Sequence, residues 1–253
     1  MDPAEYEKLD RLEDRMWWFG AMHCNLLTLA RHFGPSPTGS RMLDAGCGTG
    51  GLLARLAADP TAAMVIGLDA DETACGRAST KSARPVCRGS VNALPFRDAA
   101  FATIFSADVL CHRDVDERQA LSQFYRCLAP NGILVLNLPA YGWLLSRHDA
   151  AVYNIRRYTR RSAARLLRRA GFVMLYTSYW NMLLFPLMVI TRKFLPSRGT
   201  VSDVRQYPPA IEVLGRAATA LERALLRRGL RFPFGGSLIA IAGKPAEIRE
   251  RDV

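Results

Sequence analysis

A glycine-rich turn is the segment whose residues most directly suggest chemistry. Residues 43–50 read Leu-Asp-Ala-Gly-Cys-Gly-Thr-Gly, and the pattern around them predicts a turn that leaves a first strand and opens a helix. Glycines in such a turn let a ligand approach the backbone, and amides at the start of a helix favour its polar groups. Gly46, Gly48 and Gly51 also satisfy the G-x-G-x-x-G pattern of nicotinamide dinucleotide folds. The glycines alone therefore do not choose between cofactors.

Two acidic residues narrow the choice. Asp44 stands two residues before Gly46, where a dinucleotide-binding strand normally keeps an apolar residue. A carboxylate in that place can act on a cationic amino-acid group. Asp69 ends the next predicted strand, at a spacing of about twenty to twenty-five residues that suits either class of nucleotide fold.

The order of these motifs resembles the class I S-adenosylmethionine-dependent methyltransferases, in particular their type 11-like domain. Asp44 and the glycines after it meet the family's acidic-x-G-x-G-x-G motif. Residues 89–96 resemble its G-D-A-x-x-L-P-F block, and residues 101–104 its F-D-x-V block. Two acids of the pattern are replaced here, by Ser90 and Ala102. The resemblance covers residues 41–139 and implies S-adenosylmethionine as the cofactor.

The resemblance also implies which residues hold that cofactor. The methionine portion would lie at the glycine turn, the ribose at the second acid, the adenine at the next block and the sulfonium beside strand four, with an aromatic lid from the N-terminal helices. The implied cofactor-binding residues are Asp44, Gly46, Cys47, Gly48, Gly50, Asp69, Ala70, Ser90, Val91, Ser106 and Trp18. Two alternatives remain open: an NAD-dependent oxidoreductase, and a catalytically inactive methyltransferase-like binding scaffold, which the changes at Ser90 and Ala102 would fit.

Candidates for a catalytic base follow the predicted strands. His148, with Asp149 beside it, follows strand five, and His112 follows strand four. Doubly wound sheets bind ligands at the carboxyl ends of their strands. His148, Asp149 and His112 are therefore the predicted catalytic residues, and no residue spacing predicts a metal site.

The remaining sequence predicts one α/β domain with additions. We expect a Rossmann-like, doubly wound, mostly parallel seven-stranded sheet over residues 41–253, a helical cap over 1–40 and a helical insertion over 181–235 before the last strand. Within the insertion, residues 208–228 predict a surface helix that packs on its own domain through a stripe containing Ile211, Leu214 and Leu221.

Charge and hydropathy bear on the acceptor. The net charge is +11, and arginines cluster over residues 156–169, which favours a phosphate-bearing molecule or an anionic membrane; nucleic acid is not favoured. The apolar segment 179–193 is too short to span a bilayer and fits either a substrate lid or an interfacial anchor. A narrower resemblance at residues 17–19 and 148–149, to methyltransferases of envelope glycan and lipid pathways, implies an apolar or lipid-linked small-molecule acceptor, methylated at oxygen or nitrogen.

The chain start is acidic and polar rather than signal-like, so a cytoplasmic location is expected, with peripheral contact to the inner membrane face as an open alternative. The oligomeric state is left open.

Overall fold

The computed structural model describes residues 3–36, 39–59, 62–193, 204 and 207–246. Seven strands form one sheet: β1 (Arg41–Ala45), β2 (Met64–Asp69), β3 (Val86–Arg88), β4 (Phe101–Ala107), β5 (Leu128–Pro139), β6 (Val173–Trp180) and β7 (Ser237–Gly243). Their spatial order is β3-β2-β1-β4-β5-β7-β6. All neighbours are parallel except β7, which runs antiparallel to β5 and β6. The predicted fold class is confirmed.

Helices flank this sheet and precede it. They are α1 (Pro3–Leu12), α2 (Trp17–Phe33), α3 (Gly51–Ala57), α4 (Glu72–Ser82), α5 (Glu117–Cys127), α6 (Arg147–Ala151), α7 (Arg160–Arg169), α8 (Phe185–Lys193) and α9 (Pro209–Arg227), with a 3₁₀ turn at Gly142–Leu144. The first two helices form the predicted N-terminal cap, and the last two, α8 and α9, lie within the residues of the predicted insertion. The parts of the insertion at 194–203 and 205–206 lie outside the described residues.

Local capping explains where several helices begin. Asp71 accepts a hydrogen bond from the Ala74 amide at the start of α4, and Asp116 accepts two at the start of α5. Thr159 caps α7 in the same way. Such side chains satisfy amides that the first helical turn leaves without partners. The capped helices return the chain to the sheet so that the parallel strands end at one edge.

One predicted turn is part of a strand. The Pro130-Asn131-Gly132 sequence favours a turn, but β5 already begins at Leu128, directly after α5. The turn residues are accommodated by a shift in register against β4, between Phe101 and Thr103, and Asn131 takes a positive φ of 62°. The predicted turn before the strand is thus a bulge inside the pairing of β4 with β5.

The prediction for the face of α9 was wrong. Ile211, Leu214 and Leu221 are exposed, whereas Gly215 and Glu222 are buried. A Cβ on Gly215 would lie 2.5 Å from the Trp17 ring, so the missing side chain lets α9 approach α2 closely. The helix is therefore oriented by an aromatic side chain that meets a glycine, and its apolar stripe faces outward.

Candidate active site

The glycine turn is folded against the end of β2. The amides of Gly46 and Cys47 both donate to the Leu68 carbonyl, at 2.7 and 2.9 Å. Gly46 has a φ of +84°, and a Cβ there would lie 2.2 Å from Val109 Cγ2. Backbone conformation and close packing both require glycine at this position. The turn brings the carboxyl ends of β1, β2 and β4 together.

Asp44 is buried in this turn and only partly hydrogen-bonded. One interaction comes from the Leu53 backbone amide, but Oδ2 has no hydrogen-bond partner among the described residues. Burial, together with the nearby charges of Asp69 and Glu13, raises the pKa of the Asp44 carboxyl to about 8. A buried acceptor without a partner is costly, which marks Asp44 as a site for a cationic donor.

Asp69 lies at the end of β2 and faces the same turn. Its Oδ2 accepts from the Gly48 amide at 2.8 Å, and its Oδ1 accepts from the Asp71 amide at 3.0 Å. Burial raises the pKa of its carboxyl, and these backbone hydrogen bonds oppose the rise. The Ala70 backbone also donates to this carboxylate, and because a carboxylate has about four lone-pair sites, it can still accept from a hydroxyl donor.

The residues implied for the adenine and the sulfonium lie at the same edge. The Gly89 amide donates to the Asp69 carbonyl at 2.8 Å. The next residues in the chain, Ser90 and Val91, therefore lie near Asp69, the residue implied for the ribose. Ser90 is exposed and Val91 is buried. Ser106, near the end of β4, is buried, and its hydroxyl lacks a partner in the described structure. The Ser106 hydroxyl and Oδ2 of Asp44 are therefore two buried polar groups that remain available to a ligand at this edge of the sheet.

The cap covers this turn with residues that the sequence analysis did not single out. Leu9 of α1 lies 3.5 Å from the position of a Cβ on Gly48. Glu13 accepts from the Thr49 hydroxyl at 2.7 Å and pairs with Lys81 of α4. Tyr6 is buried, and the charge of Asp69 is among the causes that raise its pKa. The helical spacing of apolar residues predicted α1 but not what it covers.

Residues 43–136 match the family profile described as a methyltransferase domain. The chain carries a class I methyltransferase domain. Its cofactor is S-adenosylmethionine, and the predictions of family, enzyme class and cofactor are confirmed for this domain. The Asp44 oxygen without a partner fits the cationic amino group of that cofactor, and the Asp69 carboxylate fits its ribose hydroxyls. The hydroxyl of Ser106 is open to a further contact.

Relatives support this domain but only in part of their length. The chain is 31% identical over 137 residues to a probable S-adenosylmethionine-dependent methyltransferase of Mycolicibacterium smegmatis, which covers 53% of this chain and 52% of that protein. It is 28% identical over 135 residues to 24-methylenesterol C-methyltransferase 2 of Oryza sativa subsp. japonica, covering 47% and 35%. The chain thus spans about a third to a half of the length of these relatives.

A solved structure shares the fold over nearly the whole chain. A chain solved in complex with the Haloferax volcanii Trm112 methyltransferase activator has a TM-score of 0.63 and 19% identity, and covers 96% of this chain and 95% of that one. At this identity the likeness shows the fold alone.

Trp18, which was predicted to cover the cofactor, lies away from Asp69. The ring centroid of Trp18 lies 5.7 Å from that of Trp180 at the end of β6 and 5.0 Å from that of Phe19. The strand order puts β6 at the opposite edge of the sheet from β3, with Asp69 on β2. Trp18 therefore lies on the half of the sheet that leads towards Asp108.

Asp108 is the polar group that the sequence analysis passed over. Asn137 Nδ2 donates to both carboxylate oxygens of Asp108, at 3.0 and 2.9 Å, and Trp180 Nε1 donates to Asn137 Oδ1 at 2.8 Å. Burial raises the pKa of the Asp108 carboxyl to about 7, while Asn137 and Arg157 oppose the rise. Asp108 also has a positive φ of 55° at the end of β4. A buried carboxyl that is held in this way by residues from distant strands has no simple sequence signature.

The predicted catalytic residues occupy different surroundings. Asp149 is buried, pairs with Arg157 at 2.8 Å and accepts from the Ser146 amide at 2.8 Å, so it caps α6. His148 is half-buried on the same short helix. His112 is half-buried, and burial lowers the pKa of its ring to about 4. The structure gives Asp149 a structural task and leaves both histidines as candidates.

Proposed function

We propose that the whole chain is an S-adenosylmethionine-dependent methyltransferase that modifies an apolar or lipid-linked small molecule at oxygen or nitrogen. The observation that carries the cofactor half is the buried Asp44 oxygen without a partner, beside a turn that only glycine can form. Asp44 would hold the amino group, Asp69 the ribose hydroxyls, and Ser90 with Val91 the adenine.

The cofactor supplies a methyl group bound to a positively charged sulfur. The protein positions the acceptor in line with that group and, for an oxygen or nitrogen nucleophile, accepts its proton. Asp108 suits this second task because its pKa of about 7 keeps carboxylate and acid both populated near neutral pH. Asn137 orients the carboxylate through two hydrogen bonds, and Trp180 orients Asn137.

Aromatic side chains support an apolar acceptor. Tyr141, which follows β5, stacks on Tyr179 with ring centroids 5.0 Å apart. The ring centroid of Phe185, on α8, lies 5.8 Å from that of Tyr141. These rings line the strand edge that also carries Asp108. A sterol methyltransferase among the relatives agrees with an acceptor of this class.

A basic groove supports the narrower alternative of a phosphate-bearing acceptor. The groove has a volume of about 320 Å³ between α5 and α7 and is lined by Arg156, Arg165 and Arg169 together with Glu117. Arg156 is partly neutralised by Glu117, 3.7 Å away. Guanidinium groups bind phosphate oxygens well, so an acceptor with a diphosphate or phosphate group fits this surface.

Titration calorimetry with S-adenosylhomocysteine tests the proposed cofactor. We expect saturable binding of S-adenosylhomocysteine and no heat of binding with NAD at the same concentration. Binding of NAD alone would instead indicate an oxidoreductase. If neither ligand binds at millimolar concentration, the chain is a scaffold without a working cofactor site.

The change Asp108→Asn tests the proposed proton acceptor. In an assay of labelled methyl transfer from S-adenosylmethionine to lipid extracts, we expect a rate about 10²–10⁴-fold lower. The affinity for S-adenosylhomocysteine should change less than about threefold, because Asp108 would face the acceptor. The wild-type rate should rise with pH through about 7 as the carboxylate forms, and the variant should lack this rise. His148→Gln and His112→Gln serve as matched variants, and a loss confined to either would transfer the role to that histidine.

A further inference from the structure

Six large apolar side chains are exposed around the acceptor side of the sheet. They belong to three separate stretches of chain: the turn after β5, the helix α8 with the residues before it, and the approach to β7. We call them the apolar face: Trp143, Leu145, Leu183, Leu187, Ile190 and Phe234. A patch of this kind is unusual on a protein that contacts only water.

The three stretches meet in space. Phe185 joins them, because its ring centroid lies 6.2 Å from that of Trp143 and 5.6 Å from that of Phe234. On the same helix, Met188 Sδ lies 3.0 Å from the position of a Cβ on Gly236. Phe185 and Met188 therefore bring the turn after β5, α8 and the start of β7 close together.

The helix α8 is held in place without being covered. None of its residues is buried. The chain before it is fixed by Glu222 of α9, which accepts hydrogen bonds from the amides of Asn181 and Leu183 at 2.6 and 2.8 Å. Asn181 has a positive φ of 59°, which turns the chain sharply at the end of β6. A buried carboxylate thus supports an outward-facing apolar helix.

The charge of the surrounding chain is strongly positive. From residue 141 to residue 193 the sequence has ten arginines and lysines and one acid, Asp149. That acid is buried against Arg157, so it neutralises little of the surface. Arg147, Arg161 and Lys193 are exposed on the stretches next to the apolar face. The backbone amide of Arg160 donates to Tyr179 Oη at 3.2 Å, which places the start of α7 beside the Tyr179 ring.

We propose that the apolar face docks on the surface of an anionic lipid bilayer. Aromatic and aliphatic side chains enter the boundary between headgroups and acyl chains, while the surrounding arginines and lysines contact acidic headgroups. Charge argues against a second copy of this chain as the occupant, because the same basic surface would oppose itself. No helix in the described parts of the chain is long and apolar enough to cross a membrane.

Docking in this way gives the acceptor a route to the site. The apolar face surrounds Tyr141 and Tyr179, which follow or end strands at the same sheet edge as Asp108. An acceptor dissolved in the bilayer would reach the strand ends without passing through water. This route for the acceptor rests on the proposed function, whereas the docking itself does not.

Flotation of the full chain with vesicles tests the proposal. We expect the protein to float with vesicles of phosphatidylcholine and 30% phosphatidylglycerol, and at least tenfold less with phosphatidylcholine alone. The change Leu187→Glu should lower partitioning to the anionic vesicles about tenfold. Leu221→Glu is the matched control, since Leu221 on α9 is 56% exposed and Leu187 is 53% exposed, and it should change partitioning less than twofold.

Fluorescence gives a second measurement that does not depend on a charged substitution. Brominated phosphatidylcholine in the anionic vesicles should quench Trp143, which is 52% exposed, whereas Trp17 and Trp18 are half-buried and Trp180 is buried. Trp143→Phe should abolish the quenching and keep the flotation. Failure to float, an equal loss with Leu221→Glu, or unchanged quenching with Trp143→Phe would each overturn the proposal. Binding of S-adenosylhomocysteine in solution tests the proposed function separately.

Discussion

Replacing Asp149 with alanine is expected to lower the free energy of unfolding by about 3 to 5 kcal/mol, the typical cost of leaving one partner of a buried ion pair alone. The side chains of Arg157 and Asp149 are only 3% and 2% exposed. Without Asp149, the Arg157 guanidinium keeps a hydrogen bond to the Ala140 carbonyl but loses its charge partner. Urea denaturation followed by circular dichroism measures the change.

Two further variants separate burial from charge. Arg88→Ala breaks an ion pair with Glu72 in which both side chains are largely exposed, and should cost less than about 1 kcal/mol. The double change Asp149→Leu with Arg157→Met removes both buried charges and should recover much of the loss. If Asp149→Ala is as stable as wild type but cannot transfer methyl groups, Asp149 is catalytic, as the sequence suggested, rather than structural.

Replacing Asp44 with asparagine is expected to weaken binding of S-adenosylhomocysteine about ten- to a hundredfold, because a hydrogen bond to a charged group contributes about 1.5 to 3 kcal/mol. The effect should depend on pH. With a pKa of about 8, ligand-free Asp44 is mostly protonated at pH 7, and a cationic amino group favours the carboxylate. Binding therefore releases a proton, and affinity rises as the pH rises from 6.5 to 8.

Calorimetry in two buffers with different heats of ionisation measures that proton. Asp44→Asn should show no release, whereas Asp108→Asn should keep it, since Asp108 lies on the acceptor side. Affinity that is independent of pH in the wild type, or a loss of proton release with Asp108→Asn, would contradict the assignment of Asp44 as the group that holds the amino function.

The glycine turn was predictable because its residues are contiguous in sequence. Gly46 needs a positive φ and has no room for a Cβ, so physical chemistry dictates its identity. Asp44 is the residue before the last in β1 and Asp69 is the last in β2, and parallel strands bring their carboxyl ends together. Local sequence therefore carried most of the information about the fold, the strand edge and the cofactor.

The surroundings of Asp108 were not predictable because their contacts join distant segments. Asp108 directly follows β4, whereas Asn137 lies in β5 and Trp180 ends β6, and no spacing connects them. The face of α9 failed for the same reason: a glycine at Gly215 admits Trp17 from the cap, and this contact outweighs the apolar stripe. The periodicity of apolar residues indicates which side of a helix is hydrophobic, but the packing partners determine which side is buried.

The insertion leaves the sheet after β6 and returns to it at β7. Trp180 and Ser237 are direct partners in the pairing of β6 with β7, so the chain between them leaves the sheet and re-enters it at one point. The entropy of closing such a loop grows slowly, by about 0.6 kcal/mol for each doubling of its length. The excursion can therefore be lengthened, shortened or exchanged while the strands under the cofactor keep their register. The chain between β6 and β7 can thus diverge independently of the sheet, except where α9 contacts the N-terminal cap through Gly215 and Trp17.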